Sequence, residues 1–336
     1  MTVRAIVVGA SGYTGMELVR ILKRHCEISL EALYVSKGSS DAMKNIDSLY
    51  GQLQGICSLP LEPLDDVLEA AQKADVVFLA TDHKVSHDLA PVFYENNCVV
   101  FDLSGAFRVK DPDFYTKYYG FEHEHGELLN KAVYALCEYT DILDLQNGRM
   151  ISMPGCYPTA CQLSLKPLLE ANVIDKSYIP SLNAISGVTG AGRKATLNNS
   201  FCEVSLNAYN LFVHRHQPEI ATHLDTDVIF NAHLGPFKRG IHATVTAKLN
   251  KKLSRDEIVA IYKDAYRHSP LVRIKDNLPK LADVVDSAFC DIGFALDDKG
   301  YIVICSVIDN LLKGAAAQAV QALNLHYGFD ETLGLV

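Results

Sequence analysis

Val3–Val8 is almost wholly apolar and shows no alternation of polar and apolar positions. Such a run predicts a parallel strand buried on both faces. Apolar residues at helical spacing follow over Met16–Lys23. Leu30–Val35, Val76–Leu79 and Val99–Asp102 read as three more strands, with a helix near Ser86–Glu95 between the last two. Strand and helix alternating at these intervals predict a doubly wound α/β sheet. The texture changes past about residue 150. Ile241–Leu249 alternates apolar and polar residues, the mark of a half-exposed antiparallel strand. Ser254–His268 reads as a helix, opened by the capping pair Ser254 and Glu257 and stopped before Pro270. Tyr301–Val307 is another buried strand. Gly314–Tyr327 is an alanine-rich helix, apolar nearly all round and so expected to be well buried. The second half is therefore α+β in texture.

A chain of 336 residues fits about two domains. With 49 % hydrophobic and 21 % charged residues it can bury a full core. The net charge of −9, with no basic block, argues against nucleic acid or a membrane surface as partner. No apolar stretch reaches membrane-spanning length. Nine scattered cysteines, with no C-x-x-C pair, suit free thiols in a reducing compartment, so a cytoplasmic location is expected.

One of those cysteines stands apart. Ser152-Met153-Pro154-Gly155-Cys156-Tyr157-Pro158-Thr159 places Cys156 on a tight turn ahead of a helix, with Pro158 suited to the first helical position. A thiol at a helix N-terminus meets partial positive charge, which favours the nucleophilic thiolate. The same pattern also fits a buried cysteine after a turn. In His214-Arg215-His216-Gln217-Pro218-Glu219, either histidine can serve as acid–base partner. His216 is preferred, since it falls at the expected helix cap beside Pro218. Zinc held by His214 and His216, or by His123 and His125, lacks further ligands at a known spacing, so no metal is expected.

Gly9, Gly12 and Gly15 form a G-x-x-G-x-x-G loop between the first strand and the first helix, where a dinucleotide pyrophosphate is cradled. Ser11, Tyr13 and Thr14 lie in the same loop. The second strand ends without the acid that holds an NAD ribose. Ser36 and Lys37 stand there instead and can hold a 2′-phosphate, favouring NADP, or can simply face solvent. A second glycine-rich stretch runs from Ser186 and Gly187 to Arg193 and Lys194, either an anion site or a flexible loop. Arg108 follows a strand's carboxyl end, where ligands bind in open α/β sheets, and can clamp a carboxylate or phosphate. Asn310 in Asp309–Gly314 can both donate and accept, as amide recognition requires.

Taken together, the pieces Gly9–Gly15, Asp102–Arg108, Pro154–Thr159, Ser186–Arg193, His214–Glu219 and Asp309–Gly314 resemble the N-acetyl-γ-glutamyl-phosphate reductase family of arginine biosynthesis, within the aspartate-semialdehyde dehydrogenase-like group. The resemblance runs nearly end to end. It implies a Rossmann-type doubly wound NADP domain over 1–153, completed by 309–336. It implies an α+β catalytic and dimerisation domain of the glyceraldehyde-3-phosphate dehydrogenase-like type over 154–308, and a homodimer or homotetramer. The substrate would be a small acyl phosphate. Cys156 would attack it, phosphate would leave, and NADPH would reduce the thioacyl group. His216 would shuttle the proton as the thiohemiacetal collapses, Arg108 and Arg193 would hold substrate, and Asn310 would face the nicotinamide carboxamide. The chain departs from the family at Met153, where Asn is usual, at Cys137, where Pro is usual, and at Gly105, where an acid is usual. The rival readings are an aspartate-semialdehyde dehydrogenase, a non-catalytic NADP-binding sensor on the same fold and, last, a cysteine hydrolase, which leaves the glycine loop unexplained.

Overall fold

The computed structural model describes residues 2–336. The chain forms two compact units, Met1–Gly155 with Ala315–Val336, and Cys156–Gly314. The boundaries thus fall after Gly155 and after Gly314, where the sequence suggested 153 and 308. The second difference has a physical cause: the turn 309–314 is hydrogen-bonded to residues of the Cys156–Gly314 unit, as described below.

The first unit holds a wholly parallel sheet. Its strands are β1 (Val3–Val8), β2 (Ile28–Val35), β3 (Leu61–Pro63), β4 (Val76–Leu79), β5 (Val99–Asp102), β6 (Val133–Tyr134) and β7 (Met150–Ser152). Their spatial order is β3-β2-β1-β4-β5-β7-β6, so the winding reverses between β1 and β4. That is the switch point at which doubly wound sheets bind ligands. β1 and β4 are buried at nearly every position, as apolar runs covered on both faces must be. Helix α1 (Tyr13–Leu22) follows β1 directly, and α2 (His83–Glu95) links β4 to β5. Both begin earlier than the apolar spacing suggested, because their first turns carry glycine or polar residues that add nothing to an apolar stripe.

The second unit holds a mixed sheet. Its strands are β8 (Ser181–Gly187), β9 (Asn207–Tyr209), β10 (Ile229–Gly235), β11 (Ile241–Lys248), β12 (Val272–Ile274), β13 (Cys290–Leu296) and β14 (Tyr301–Ile308). The order is β12-β13-β14-β11-β8-β10-β9. β11 is antiparallel to both β14 and β8, and its residues alternate buried and half-buried as its sequence pattern requires. Helix α3 (Cys156–Glu170) packs on β11 and β14 and against α4 (His216–Leu224). The hydroxyl of Tyr262, on α5 (Arg255–Ala265), donates to the Ser164 carbonyl of α3 at 2.6 Å.

Pro158 and Pro218 each occupy the third residue of their helices, rather than the first. The misplacement costs nothing locally, since the first four N–H groups of a helix have no intrahelical acceptor. Gly314–Tyr327 is not one α-helix either. Leu312–Ala316 is a π-turn, and α6 (Ala317–Tyr327) begins after it. The Gly314 N–H reaches back to the Asp309 carbonyl at 2.9 Å, five residues away. α6 belongs to the first unit, where the Asn324 side-chain oxygen faces His25 Nε2 at 2.8 Å.

Ser254 and Glu257 form the capping box that the sequence suggested, with the Ser254 hydroxyl accepting the Glu257 N–H. Ser254→Ala should therefore lower stability by about 1 kcal/mol in denaturant unfolding. An unchanged midpoint would show that the cap contributes nothing.

Candidate active site

Cys156 is the first residue of α3 and is half-buried, while Cys161 further along the same helix is fully buried. Burial pushes the Cys161 thiol up, as it does the Tyr157 phenol. The turn Asp309–Gly314 lies against the start of α3. A Cβ at Gly314 would sit 2.9 Å from the Cys156 Cβ, so only glycine admits this approach. The turn itself is fixed by a carboxylate. Asp309, fully buried, accepts Arg239 Nε at 2.8 Å and Nη2 at 3.1 Å, the Asp286 N–H at 2.9 Å, and the N–H groups of Leu311 at 2.8 Å and Leu312 at 3.1 Å. Arg239 also pairs with Asp286 at 3.2 Å.

His216 is the first residue of α4, with Arg215 as its cap. The expectation that His216 itself would be the cap is thus displaced by one residue. Its Nε2 lies 4.0 Å from Glu219 Oε2, and the Glu219 carboxylate is wholly buried. His214 Nδ1 accepts the His216 backbone N–H at 3.1 Å, which leaves the proton of neutral His214 on Nε2. Burial, with Arg215 nearby, holds His214 down at about 4. Of the two histidines His214 is the neutral buttress, and His216 is the one that faces a carboxylate. The ring of Tyr157, next to Cys156, stands edge-on to both, 5.9 Å from His214 and 5.8 Å from His216. Its hydroxyl donates to the His233 carbonyl at 2.8 Å. Glu219, Tyr157, Arg239, Asp309 and Gly314 thus surround these residues, although none was singled out for a role from the sequence. The signal for Glu219 was present, three residues after His216 on a helix; Arg239 had none.

Asn310 is committed on both sides of its amide. Its Oδ1 accepts the Gly240 N–H at 2.7 Å and its Nδ2 donates to Thr189 Oγ1 at 3.1 Å. Ser186 is buried, and its hydroxyl donates to the Gly187 carbonyl at 3.0 Å. Gly187 is packed against the backbone of Lys238 and Arg239. Residues 188–191 form a short 3₁₀ turn, with the Val188 N–H on the Phe237 carbonyl at 2.9 Å. Arg193 is exposed beyond it.

In the first unit, Gly9 has φ +87, and a Cβ on it would overlap the Ala80 carbonyl oxygen. The Tyr50 hydroxyl pins the Ser11 carbonyl at 2.8 Å. Gly12 caps α1 with no side-chain bond, and no acid stands in the first turn. The N–H groups at Tyr13, Thr14 and Gly15 therefore suit a bound anion. At the end of β2, Ser36 is exposed, and Lys37 Nζ lies 3.1 Å from Asp65. Arg108 is buried, with Nε on the Met153 carbonyl at 2.8 Å and Nη2 on the Leu103 carbonyl at 3.1 Å. It steadies the strand that leads to Cys156. The three departures from the family pattern are all packed. Met153 is buried, the Cys137 thiol faces the Gln318 carbonyl at 3.7 Å, and the Tyr119 hydroxyl fills the space that a side chain at Gly105 would need.

Of the two histidine pairs considered for zinc, the rings of His214 and His216 stand 4.8 Å apart and those of His123 and His125 6.4 Å apart. Among the described residues one group, His87, Asp88 and His125, places ligand atoms within 4.8 Å of one another. The Lys84 ammonium is already 2.5 Å from Asp88, and the His87 nitrogens face Asp88 Oδ1 at 2.7 Å and the Glu124 N–H at 3.1 Å. No helix among the described residues is long and apolar enough to cross a membrane.

A family model described as semialdehyde dehydrogenase, NAD binding domain, matches residues 4–142, and one described as semialdehyde dehydrogenase, dimerisation domain, matches residues 156–310. The two units are those of a semialdehyde dehydrogenase. The fold is shared with aspartate semialdehyde dehydrogenase II of Vibrio cholerae, at TM-score 0.75 and 16% identity over 98% of this chain and 99% of that one. A probable aspartate-semialdehyde dehydrogenase of Pseudomonas aeruginosa gives TM-score 0.72 and 19% identity over 97% and 100%. The chain is 56% identical to the N-acetyl-gamma-glutamyl-phosphate reductase of Pasteurella multocida, covering 99% of both. It is 54% identical to that of Escherichia coli K12, over 98% of this chain and 99% of the relative. The chain belongs to the N-acetyl-gamma-glutamyl-phosphate reductase family.

Two predictions follow from this geometry. Gly314→Ala should leave the fold intact but displace Cys156, slowing turnover on the order of 100-fold. Wild-type rates in that variant would show that the contact is idle. Burial holds both His123 and His214 at about 4. In the unfolded chain they titrate near 6.5, at about the ordinary value. The unfolded state therefore gains protons first, and stability is full above pH about 6.5 and declines as pH falls toward about 4. The thermal midpoint should drop over that window, and less steeply in His123→Gln. Equal slopes for the variant and the wild type would remove His123 from the account.

Proposed function

We propose that this chain reduces N-acetyl-γ-glutamyl 5-phosphate to N-acetylglutamate 5-semialdehyde with NADPH, releasing phosphate, as a step of arginine biosynthesis. One observation carries the chemistry: a half-buried cysteine begins one helix, and a histidine backed by a buried carboxylate begins the helix packed against it. Near-full-length identity to reductases of that name supports the substrate. The likeness to aspartate-semialdehyde dehydrogenases, below 20% identity, speaks for the fold alone.

In this reading Cys156 Sγ attacks the acyl carbon, and the bond from that carbon to the phosphate oxygen breaks. His216 takes the thiol proton and passes it to the departing phosphate. Glu219 favours the imidazolium so formed. A thioester on Cys156 remains, which is a better hydride acceptor than a carboxylate. The reduced nicotinamide, when bound, supplies the hydride to the thioester carbon. The resulting thiohemiacetal collapses, the carbon–sulfur bond breaks, and the aldehyde leaves. The Cys156 thiolate regains a proton by way of His216, so each cycle consumes one proton. Arg108 and Arg193 hold the anionic ends of the substrate.

The glycine loop fits a dinucleotide, since the start of α1 is bare of side-chain caps and acids. Gly9, Ser11, Gly12, Tyr13, Thr14 and Gly15 would hold the pyrophosphate, and Ser36 and Lys37 the 2′-phosphate of NADP. Ser186, Gly187 and Asn310 would shape the nicotinamide end. All nine cysteines are unbridged, which suits the reducing cytoplasm.

The test runs the reaction in reverse, oxidising the aldehyde with phosphate present. Purified protein should reduce NADP with N-acetylglutamate semialdehyde, only when phosphate is present. Replacement of the sulfur in Cys156→Ser should abolish it, and Lys37→Ala should narrow the preference for NADP over NAD. Activity confined to aspartate semialdehyde, or surviving in Cys156→Ser, would refute the proposal.

A further inference from the structure

β2 runs out into Val35-Ser36-Lys37, without the acid that holds the ribose 2′-hydroxyl of NAD. The neighbouring strand supplies one. β2 and β3 are parallel, with Tyr34 opposite Glu62 and Val35 opposite Pro63. The Leu64 N–H still bonds the Val35 carbonyl at 2.9 Å, so the pairing continues past the last strand residue. Carried two residues beyond Val35 and Pro63, the same register sets Lys37 against Asp65. There the Lys37 ammonium stands 3.1 Å from the Asp65 carboxylate. Both groups lie at the carboxyl edge of the sheet, where doubly wound folds bind their ligands. The acids on either side of Asp65 are occupied elsewhere. Glu62 faces Lys73 at 3.9 Å. Asp66 Oδ1 caps the helix Val67–Gln72, accepting the N–H groups of Leu68 at 2.8 Å and Glu69 at 3.1 Å. Asp65 is the one that turns to the end of β2.

We propose that Asp65 sets how far this site favours NADP over NAD. The side chains of Lys37 and Asp65 are 78% and 57% exposed, and a pair so exposed holds weakly. Either partner is therefore open to an incoming group. The two charges suit different dinucleotides. A 2′-phosphate is drawn to Lys37 and repelled by the carboxylate beside it. A 2′-hydroxyl donates to that same carboxylate. Asp65 thus holds the preference for NADP down, because a site discriminates by what it repels as well as by what it attracts. The acid of an NAD site is present, but it comes from β3 instead of β2. The inference rests on the reading above, in which Ser36 and Lys37 receive the ribose end of the cofactor.

The full chain is titrated calorimetrically with NADP and with NAD, without substrate and at low salt. The variants are Asp65→Asn, Asp65→Glu, Lys37→Ala and the control Glu31→Gln. Glu31 is exposed on β2 well before its end, so the control removes one negative charge from the same strand. Asp65→Asn should bind NADP more tightly and NAD more weakly, raising the ratio of the two dissociation constants roughly 10-fold. Asp65→Glu keeps the charge and should keep the wild-type ratio, as should Glu31→Gln. Both groups are exposed, so the gain in NADP affinity should shrink as salt approaches about 1 M, where the screening length is about 3 Å. With Lys37→Ala weakening NADP, an unchanged ratio in Asp65→Asn or an equal rise in Glu31→Gln would overturn the proposal alone. A gain undiminished at high salt would mean shape rather than charge, and would overturn it too. If Lys37→Ala binds NADP as tightly as the wild type, the ribose end lies elsewhere, and both the placement of Lys37 and the role of Asp65 fall.

Discussion

The second unit turns on one buried charge. The Asp309 carboxylate is closed off from solvent and would be costly there without partners. It is matched by the two-pronged Arg239 guanidinium and by three backbone N–H groups. Charge-assisted bonds of this kind are the strong ones, and the fork of arginine fixes direction as well as distance. What they hold is a turn that no regular helix would make. The π geometry of Leu312–Ala316 brings the bare Cα of Gly314 onto the side chain of Cys156. Single π-turns inside helices are often found where function demands an odd placement. Asn310 ties the same turn to the backbone at Gly240, so the segment is held at two successive residues.

The histidine end follows the same logic with less charge. Two rings of one residue type stand 4.8 Å apart, yet their surroundings divide their roles. His214 is spent on a backbone N–H and kept neutral by burial, while His216 keeps a carboxylate within reach. In the first unit, charge is held back instead. The beginning of α1 lacks an acid and a side-chain cap, leaving its N–H groups for an incoming anion. Arg108, placed by its sequence position at a binding edge, turns out to spend two of its donors on the carbonyls of Leu103 and Met153. Its role is part scaffold from the outset.

The strands and helices that the hydrophobic pattern marks strongly are present, with ends shifted by a few residues. β1, β4 and β5 are continuous apolar runs, and β11 is a clean alternation, so each was legible. β3, β6, β7, β9 and β12 were not, since two or three residues carry no period, and the seven-residue β8, β10 and β13 were not picked out either. Among the candidate site residues, those in sequence motifs could be picked out because glycine, cysteine and histidine are chemically conspicuous. Arg239 and Asp309 act through distant pairing, which no local pattern announces. The π-turn was hidden for a similar reason: alanine-rich sequence reads as α-helix unless tertiary packing on a neighbour such as Cys156 overrides it.

Cys156 and His216 each begin a helix whose third residue is proline. A pyrrolidine ring at that point clashes with the carbonyl four residues back, so neither helix can wind backward past its start. Both side chains are thereby locked to the mouth of their helices. Fraying or rewinding cannot slip either one into the interior of a cylinder, where its first-turn amides would be lost to it. Two imino acids thus act as backstops that keep the sulfur and the imidazole at the threshold.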